Sequence, residues 1–312
     1  MSEHLLDLKE QGRDDIVELL DTAEAFFEVS RRPMRKVPTL RGKTIVNLFY
    51  ENSTRTRTSF ELAGKRLSAD TVNMSVASSS VKKGESLYDT CKTLEAMHPD
   101  VVVIRHSASG APHYLARHMR CSIVNAGDGM HAHPTQALLD AFTIRRSVGR
   151  LEGLTVAICG DIAHSRVARS ACRLLRKFDC DVRVVGPRTL IPEHFAAAFD
   201  VKHFDAMEPA LEGADVVMAL RIQRERLGEA LLPSLREYAR TFGLDARRLA
   251  FAKDDAIVLH PGPMNRGVEI SPDVADGPRS RVLDQVEAGV AVRMAVLYRL
   301  AAQRRGVPEP AP

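Results

Sequence analysis

Short apolar runs alternate with longer amphipathic segments along most of the chain. Eight of these runs have the composition of buried strands: TIVNLFY (44–50), TVNMSV (71–76), VVVIR (101–105), CSIVNA (121–126), TVAIC (155–159), VRVVG (182–186), DVVMAL (215–220) and AIVLH (256–260). Segments with helical periodicity, such as GESLYDTCKTLEAM and HSRVARSACRLLRKF, separate nearly all of them. This alternation predicts an α/β fold built on parallel sheets.

The apolar runs fall into two series of four, with a long amphipathic stretch between them. We therefore predict two domains, each a parallel β-sheet flanked by helices, joined by a bridging helix from about His133 to Val148. The expected bounds are 1–138 for the first domain and 139–284 for the second. The last amphipathic segment, LDQVEAGVAVRMAVLYRLAAQ, predicts a C-terminal helix at about 285–305 that completes the first domain.

Composition narrows the class of protein. The chain has 312 residues, of which 45% are hydrophobic and 27% charged, as in soluble globular proteins. A net charge of +4, spread over many residues of both signs, gives no reason to expect nucleic acid as a partner. No apolar stretch is long enough to span a bilayer and no signal-peptide pattern is present, so we expect a cytoplasmic protein without membrane contact.

The stretch FYENSTRTRTSFELAG (49–64) concentrates hydroxyls and arginines between a predicted strand and a predicted helix. Phe60, Ala63, Gly64 and Leu67 follow the spacing of one buried helical stripe, which puts residues 53–56 at the helix start. These residues have two interpretations. Ser and Thr are common N-caps, and the arginines could be solvated. Arginine at the start of a helix is unfavourable, however, because its charge opposes the helix dipole. The presence of two arginines there therefore favours a site that binds a phosphate or carboxylate.

Other predicted strands also end in polar side chains. Arg105 ends VVVIR, while His133 and Gln136 follow CSIVNA; Arg166 follows TVAIC and Arg221 follows DVVMAL. The run AIVLH leads into HPGPMNRGVEI. Each of these residues alone has an ordinary structural explanation. Ligands of open α/β sheets bind at the carboxyl ends of strands, so five such ends together indicate a binding site.

Other chemistries are weakly supported. GDIAHS follows a strand but lacks the GxGxxG pattern of dinucleotide-binding turns. HAHP (131–134) has no carboxylate or cysteine at ligand spacing, and HExxH is absent, so neither a metal nor another cofactor is expected. KKGES (82–86) is either a solvated loop or a mobile loop that closes over an anion.

Taken together, seven motifs resemble the catalytic chains of the aspartate carbamoyltransferase family: STRTRTSFE, KKGE, VIRH, HPTQALLD, GDIxxSRVARS, RxQxER and HPGPxNRGVEI. The resemblance extends from about residue 40 to residue 300. STRTR and HPxQ are shared with ornithine carbamoyltransferases, which typically add DxWxSMG and HCLP signatures. This chain contains no Trp, and RIQRER and HPGPMNRGVEI follow the aspartate pattern. Gly262 and Ser86 are modest departures from the best-known members.

The resemblance implies transfer of a carbamoyl group from carbamoyl phosphate to L-aspartate, as in pyrimidine (UMP) biosynthesis. The residues implied to bind carbamoyl phosphate are Ser53, Thr54, Arg55, Thr56, Arg105, His133, Gln136, Gly262 and Pro263. Those implied to act in catalysis are Arg55, Thr56, Arg105, His133 and Lys83. Those implied to bind aspartate are Lys83, Arg166, Arg221 and Gln223.

The resemblance also implies a homotrimer, in which Ser79 and Lys83 enter the site of a neighbouring subunit. Regulatory chains or a dihydroorotase are further partners found with such trimers. Two alternatives stay open. The chain could use ornithine or another amino acid, or it could be a non-catalytic homologue that acts as a scaffold.

Overall fold

The structure is a computed structural model that describes residues 3–75, 86–222, 231–232 and 234–302. Its strands are β1 (Thr44–Phe49), β2 (Asp70–Ser75), β3 (Val101–His106), β4 (Ser122–Asp128), β5 (Thr155–Cys159), β6 (Asp181–Val185), β7 (Lys202–Phe204), β8 (Val216–Ala219) and β9 (Ile257–Leu259). Its α-helices are α1 (Arg13–Arg31), α2 (Thr54–Arg66), α3 (Leu87–Glu95), α4 (Ala111–His118), α5 (Pro134–Val148), α6 (Arg166–Arg176), α7 (Phe195–Phe199), α8 (Met207–Leu211), α9 (Leu235–Phe242), α10 (Ala246–Leu249), α11 (Pro272–Ala275) and α12 (Val282–Ala302).

The chain divides into two compact units. Unit 1 comprises Met1–Leu138 together with Glu287–Pro312, and unit 2 comprises Leu139–Val286. The first division falls inside α5, and the second falls near the start of α12. No helix in the described part of the chain is long and apolar enough to cross a membrane.

Unit 1 contains a four-stranded sheet in the order β2-β1-β3-β4, and every pairing in it is parallel. Strands β1 and β4 are buried along nearly their whole length and β3 along its first four residues, as expected for a parallel sheet covered on both faces. Helix α2 buries the predicted stripe, with Phe60, Ala63 and Leu67 fully inaccessible. Gly64 allows this helix to lie close to the sheet, because a Cβ at that position would lie 2.4 Å from the Thr71 hydroxyl.

Among the described residues, unit 2 contains a five-stranded sheet in the order β7-β6-β5-β8-β9, whose four strand pairings are parallel. The α/β fold with two parallel sheets is thus confirmed, but the prediction of four strands in the second sheet is wrong. The additional strand, β7, has three residues, of which two are exposed. Such a short edge strand buries too little surface to produce a hydrophobic run in the sequence.

Candidate active site

In unit 1, the sheet order brings three of the predicted site segments to one edge. Strands β1, β3 and β4 are neighbours and run in the same direction, so their carboxyl ends are adjacent. Phe49 pairs with Arg105, and the Tyr50 N–H donates to the Arg105 carbonyl at 2.9 Å. The first strand-end cluster therefore consists of residues 51–56, Arg105, His133 and Gln136.

The start of α2 supplies the hydroxylic part of this cluster. Ser53 is the N-cap residue, but its side chain makes no capping hydrogen bond and the first turn contains no acidic residue. Thr54 and Arg55 are exposed, whereas Thr56 is buried. A helix start with this composition lacks the usual carboxylate at its positive end, and it can therefore accept an external anion.

Arg105 lies at the end of β3 and is held on two sides. Its Nη1 donates to the Ala126 carbonyl at 3.1 Å, and its Nε lies 3.3 Å from Oε2 of Glu51. The sequence-based assignment did not include Glu51, although it stands two residues before the N-cap Ser53. This carboxylate offsets the charge of the guanidinium and fixes its plane.

His133 and Gln136 lie at the start of α5, and both are buried. The connection from β4 to α5 is organised by Asp128, which is inaccessible to solvent. Its Oδ1 accepts from Asn125 Nδ2 at 2.8 Å and from the Ala132 N–H at 3.1 Å. Burial opposes ionisation of Asp128, but donors that include His131 outweigh it, so the pKa of this carboxyl lies below its usual value.

In unit 2, the two predicted arginines follow neighbouring strands. Arg166 is the first residue of α6, which follows β5, and Arg221 comes two residues after β8. Arg166 is buried, and the hydroxyl of the N-cap residue Ser165 accepts from the Ala168 N–H at 3.1 Å. The loop before this helix is tied by Asp161, which accepts from the His164 N–H at 3.1 Å.

The segment that follows β9 is held by a buried polar network. Nδ1 of His260 accepts from the Gly262 N–H at 2.8 Å, and Nε2 of His260 lies 3.1 Å from Oε1 of Glu269. Glu269 also accepts from the N–H of Asn265. His260 and Glu269 are both almost fully buried. Gly262 has a φ of +60°, and the peptide bond to Pro263 is cis.

Gln285 links this network to α5 within unit 2. Its Oε1 accepts from the His260 N–H at 2.9 Å, and its Nε2 donates to Oδ1 of Asp140 at 2.7 Å. Residues Arg166, Arg221 and 261–263 form the second strand-end cluster, because β5, β8 and β9 are adjacent in the sheet. Sequence reasoning identified the HPGPMNRGVEI motif but assigned no role to His260, Glu269 or Gln285.

Three predicted site residues, Ser79, Lys83 and Gln223, lie outside the described residues. The remaining predicted residues fall into the two clusters. Ser53, Thr54, Arg55, Thr56, Arg105, His133 and Gln136 belong to the first, and Arg166, Arg221, Gly262 and Pro263 belong to the second.

Comparison with protein families identifies the class. The aspartate/ornithine carbamoyltransferase carbamoyl-P binding domain matches residues 3–146, and the Asp/Orn binding domain of the same family matches residues 152–300. The chain therefore belongs to the aspartate/ornithine carbamoyltransferase family, and the resemblance found in its sequence is confirmed.

Within that family, two relatives with high sequence identity to this chain are of the aspartate type. The aspartate carbamoyltransferase catalytic subunit of Sorangium cellulosum is 67% identical, over 99% of this chain and 98% of the relative. The corresponding subunit of Syntrophotalea carbinolica is 61% identical, over 95% of this chain and 94% of the relative.

Solved structures share the fold across both substrate types. The Trypanosoma cruzi aspartate transcarbamoylase in complex with carbamoyl aspartate and phosphate is 34% identical, with a TM-score of 0.85 and 95% of each chain covered. The ornithine carbamoyltransferase of Thermus thermophilus is 28% identical, also with a TM-score of 0.85, over 96% of this chain and 99% of that chain. Because the two TM-scores are equal, the fold alone does not separate aspartate from ornithine.

Proposed function

We propose that this chain is an aspartate carbamoyltransferase catalytic subunit. It transfers the carbamoyl group of carbamoyl phosphate to the amino group of L-aspartate, giving N-carbamoyl-L-aspartate and phosphate, a step of pyrimidine biosynthesis. The observation that carries the proposal is the presence of two arginines, Arg166 and Arg221, after neighbouring strands of unit 2. Nearly full-length relatives of the aspartate type support it.

The first strand-end cluster suits the phosphate of carbamoyl phosphate. Residues 53–56 offer hydroxyls and a guanidinium at a helix start, and Arg105 adds a second positive charge. Such donors bind a tetrahedral anion through charge-assisted hydrogen bonds. In this assignment Thr56, Arg105 and His133 donate to the carbonyl oxygen. Gln136 and the turn at 261–263 hold the carbamoyl NH2 group.

The second strand-end cluster suits an acceptor with two carboxylates. Guanidinium groups bind carboxylates in bidentate fashion and stay charged at every physiological pH. Arg166 would hold the α-carboxylate, while Arg221 and Gln223 hold the side-chain carboxylate. Ornithine instead presents an ammonium group on its side chain, which a cationic pocket would repel.

The transfer step requires no covalent intermediate on the protein, because the carbonyl carbon of carbamoyl phosphate is already activated. The aspartate nitrogen attacks this carbon, a C–N bond forms, and the C–O bond to phosphate breaks. Donors aimed at the carbonyl oxygen stabilise the negative charge that develops there. His133 needs only a donating N–H for this purpose, and the leaving phosphate accepts the amine proton.

We also propose that the active unit is a cytoplasmic homotrimer with shared sites. The support is the match of Ser79 and Lys83 to loop residues that reach a neighbouring subunit in the family. Chains carrying Lys83→Ala and chains carrying His133→Ala should each be inactive alone. After subunit exchange, mixed trimers should regain part of the activity. Some sites then contain an intact His133 from one chain and an intact Lys83 from its neighbour. Absence of recovery after verified exchange would refute shared sites.

The substrate assignment is tested by comparing acceptors at saturating carbamoyl phosphate. Carbamoylation of L-aspartate should exceed that of L-ornithine by several orders of magnitude in kcat/KM. A preference for ornithine would overturn the aspartate assignment. Protein that binds phosphate analogues but turns over neither acceptor would support the non-catalytic scaffold instead.

A further inference from the structure

Four side chains in unit 1 form a cluster of histidines and carboxylates outside the proposed substrate contacts. His113 lies on α4, Asp128 ends β4, and His131 lies in the loop before α5. One ligand atom from each of these three residues lies within 4.8 Å of the other two. Asp7, from the segment before α1, adds a carboxylate: its Oδ2 lies 3.8 Å from Nε2 of His113 and 3.9 Å from Nε2 of His131.

Asp128 orients His131 within this cluster. Nδ1 of His131 lies 3.0 Å from Oδ2 of Asp128, and that oxygen also accepts from the Gly110 N–H at 2.7 Å. A carboxylate whose oxygens already accept several N–H groups is a poor metal ligand. It is well suited to hold the Nδ1 proton of a histidine, which directs the Nε2 lone pair outward.

His113 has no hydrogen bond within the described residues that would occupy its ring nitrogens. Its Nδ1 is buried without a hydrogen-bond partner there, and its Nε2 is too far from Asp7 for a hydrogen bond. A neutral imidazole in this position keeps a lone pair for another ligand. The ring of His113 packs edge-on against that of His131, with 5.4 Å between centroids.

We propose that Asp7, His113 and His131 bind a late first-row divalent cation, with zinc the best match, and that Asp128 orients His131. Two imidazoles and one carboxylate form a common zinc ligand set, which leaves a fourth position for water. Ligand atoms around tetrahedral zinc lie roughly 3.4 Å apart, because each bond is about 2.0–2.2 Å long. The distances of 3.8 and 3.9 Å would therefore have to shorten by only a few tenths of an ångström.

The sequence did not predict this site, because its ligands are remote from one another along the chain. HAHP contains no carboxylate, and the carboxylates that the site needs stand at Asp7 and Asp128. A bound cation would tie the N-terminal segment, which already pairs with β4 through Leu5 and Val124, to the loop that precedes His133. Zinc binding here is independent of the proposed transfer reaction.

The test uses the tag-free full chain after removal of metals with a chelator. Isothermal titration with ZnCl2 should give one cation per chain, and CoCl2 should give the visible absorption bands of tetrahedral cobalt. His113→Gln and His131→Gln should each weaken binding at least tenfold, and Asp128→Asn should weaken it about 10- to 100-fold. His118→Gln is the matched control, because His118 lies on the same helix but stacks on Tyr114.

Thermal denaturation provides a second measurement. Zinc should raise the Tm of the wild-type chain and of His118→Gln, because a ligand that binds only the folded state stabilises it. The same zinc concentration should raise the Tm of folded His113→Gln by less than it raises that of the wild type. Failure of the wild type to bind zinc at one per chain, or equal binding by the wild type and both histidine variants, would overturn the proposal.

Discussion

The two strand-end clusters differ in how their positive charge is presented. In unit 1, Arg105 is accompanied by the carboxylate of Glu51, and its neighbours are hydroxyls at a helix start. In unit 2, Arg166 and Arg221 follow adjacent strands, and the cluster is completed by a turn. The first arrangement suits one tetrahedral anion with partial charge compensation. The second suits a ligand with two separated carboxylates.

This difference parallels the division of the family. The domain that matches unit 1 carries the name of one ligand, carbamoyl phosphate, whereas the domain that matches unit 2 is named for either aspartate or ornithine. If the proposed site assignments hold, the reaction common to the family depends on the first cluster, and the choice of acceptor depends on the second. Substitutions in the two clusters should therefore separate kcat effects from effects on the KM for aspartate.

The largest effect is expected for Arg55→Ala in the first cluster. Loss of a donor that stabilises developing charge typically costs about 3–4 kcal/mol, so kcat should fall roughly 100- to 1,000-fold. Steady-state kinetics at saturating aspartate would measure it. Arg57→Ala is the matched control, because Arg57 is two residues further along α2 and faces a different direction. Near-normal turnover of Arg55→Ala would contradict its assignment to the phosphate.

Arg166→Ala should have a smaller and more selective effect. Hydrogen bonds to a charged group contribute about 1.5–3 kcal/mol, so the KM for aspartate should rise roughly 10- to 100-fold. Binding of carbamoyl phosphate to the free enzyme should change little, which equilibrium titration can test. Arg176→Ala is the control at the opposite end of α6, where the guanidinium pairs with Asp200. An equal loss of affinity for both substrates in Arg166→Ala would contradict the proposal that the first cluster binds carbamoyl phosphate and the second binds aspartate.

The sequence predicted helices and strands correctly where a repeated pattern of apolar residues reflects their burial. The stripe of Phe60, Ala63 and Leu67 located α2 and its buried face, and the apolar runs located eight of the described strands. Positions at strand ends then followed from the general behaviour of parallel sheets. The short strand β7 was not predicted, because two of its three residues are exposed and it has no hydrophobic run.

Polar networks were not predictable in the same way. His260 contacts Glu269, nine positions away, and Gln285, 25 positions away, and no periodicity connects such residues. Asp7 and His113 are further apart still. Glu51 could have been noticed, since it stands beside a cluster of donors, but its partner Arg105 is set by strand register rather than by local sequence.

The third prediction concerns how the turn of the second cluster is held. Glu269→Ala would leave the buried ring of His260 and the half-buried N–H of Asn265 without their acceptor, and an unsatisfied buried group costs about 1–3 kcal/mol. We expect a lower free energy of unfolding and a reduced kcat/KM, measured by urea denaturation and by kinetics. The exposed Glu212→Gln should change neither. If Glu269→Ala kept full stability, the network would not be what fixes residues 261–263.

The smallest expected difference is in the rate at which buried thiols react with an alkylating agent. Measuring this rate compares the two units without a substitution in either. Burial raises the pKa of Cys91 in unit 1 to about 11, and it raises the pKa of Cys159 and Cys172 in unit 2 to about 12. Only the thiolate reacts, so one pKa unit corresponds to at most about a tenfold difference in labelling rate. Mass spectrometry after brief alkylation of the native protein at pH 8 should find Cys91 modified before Cys159 or Cys172.

Labelling in urea, where all five cysteines are exposed, should be fast and uniform. Earlier labelling of Cys159 or Cys172 in the native protein would mean that unit 2 opens more readily than unit 1, and it would reverse the ranking that the pKa values of these thiols predict.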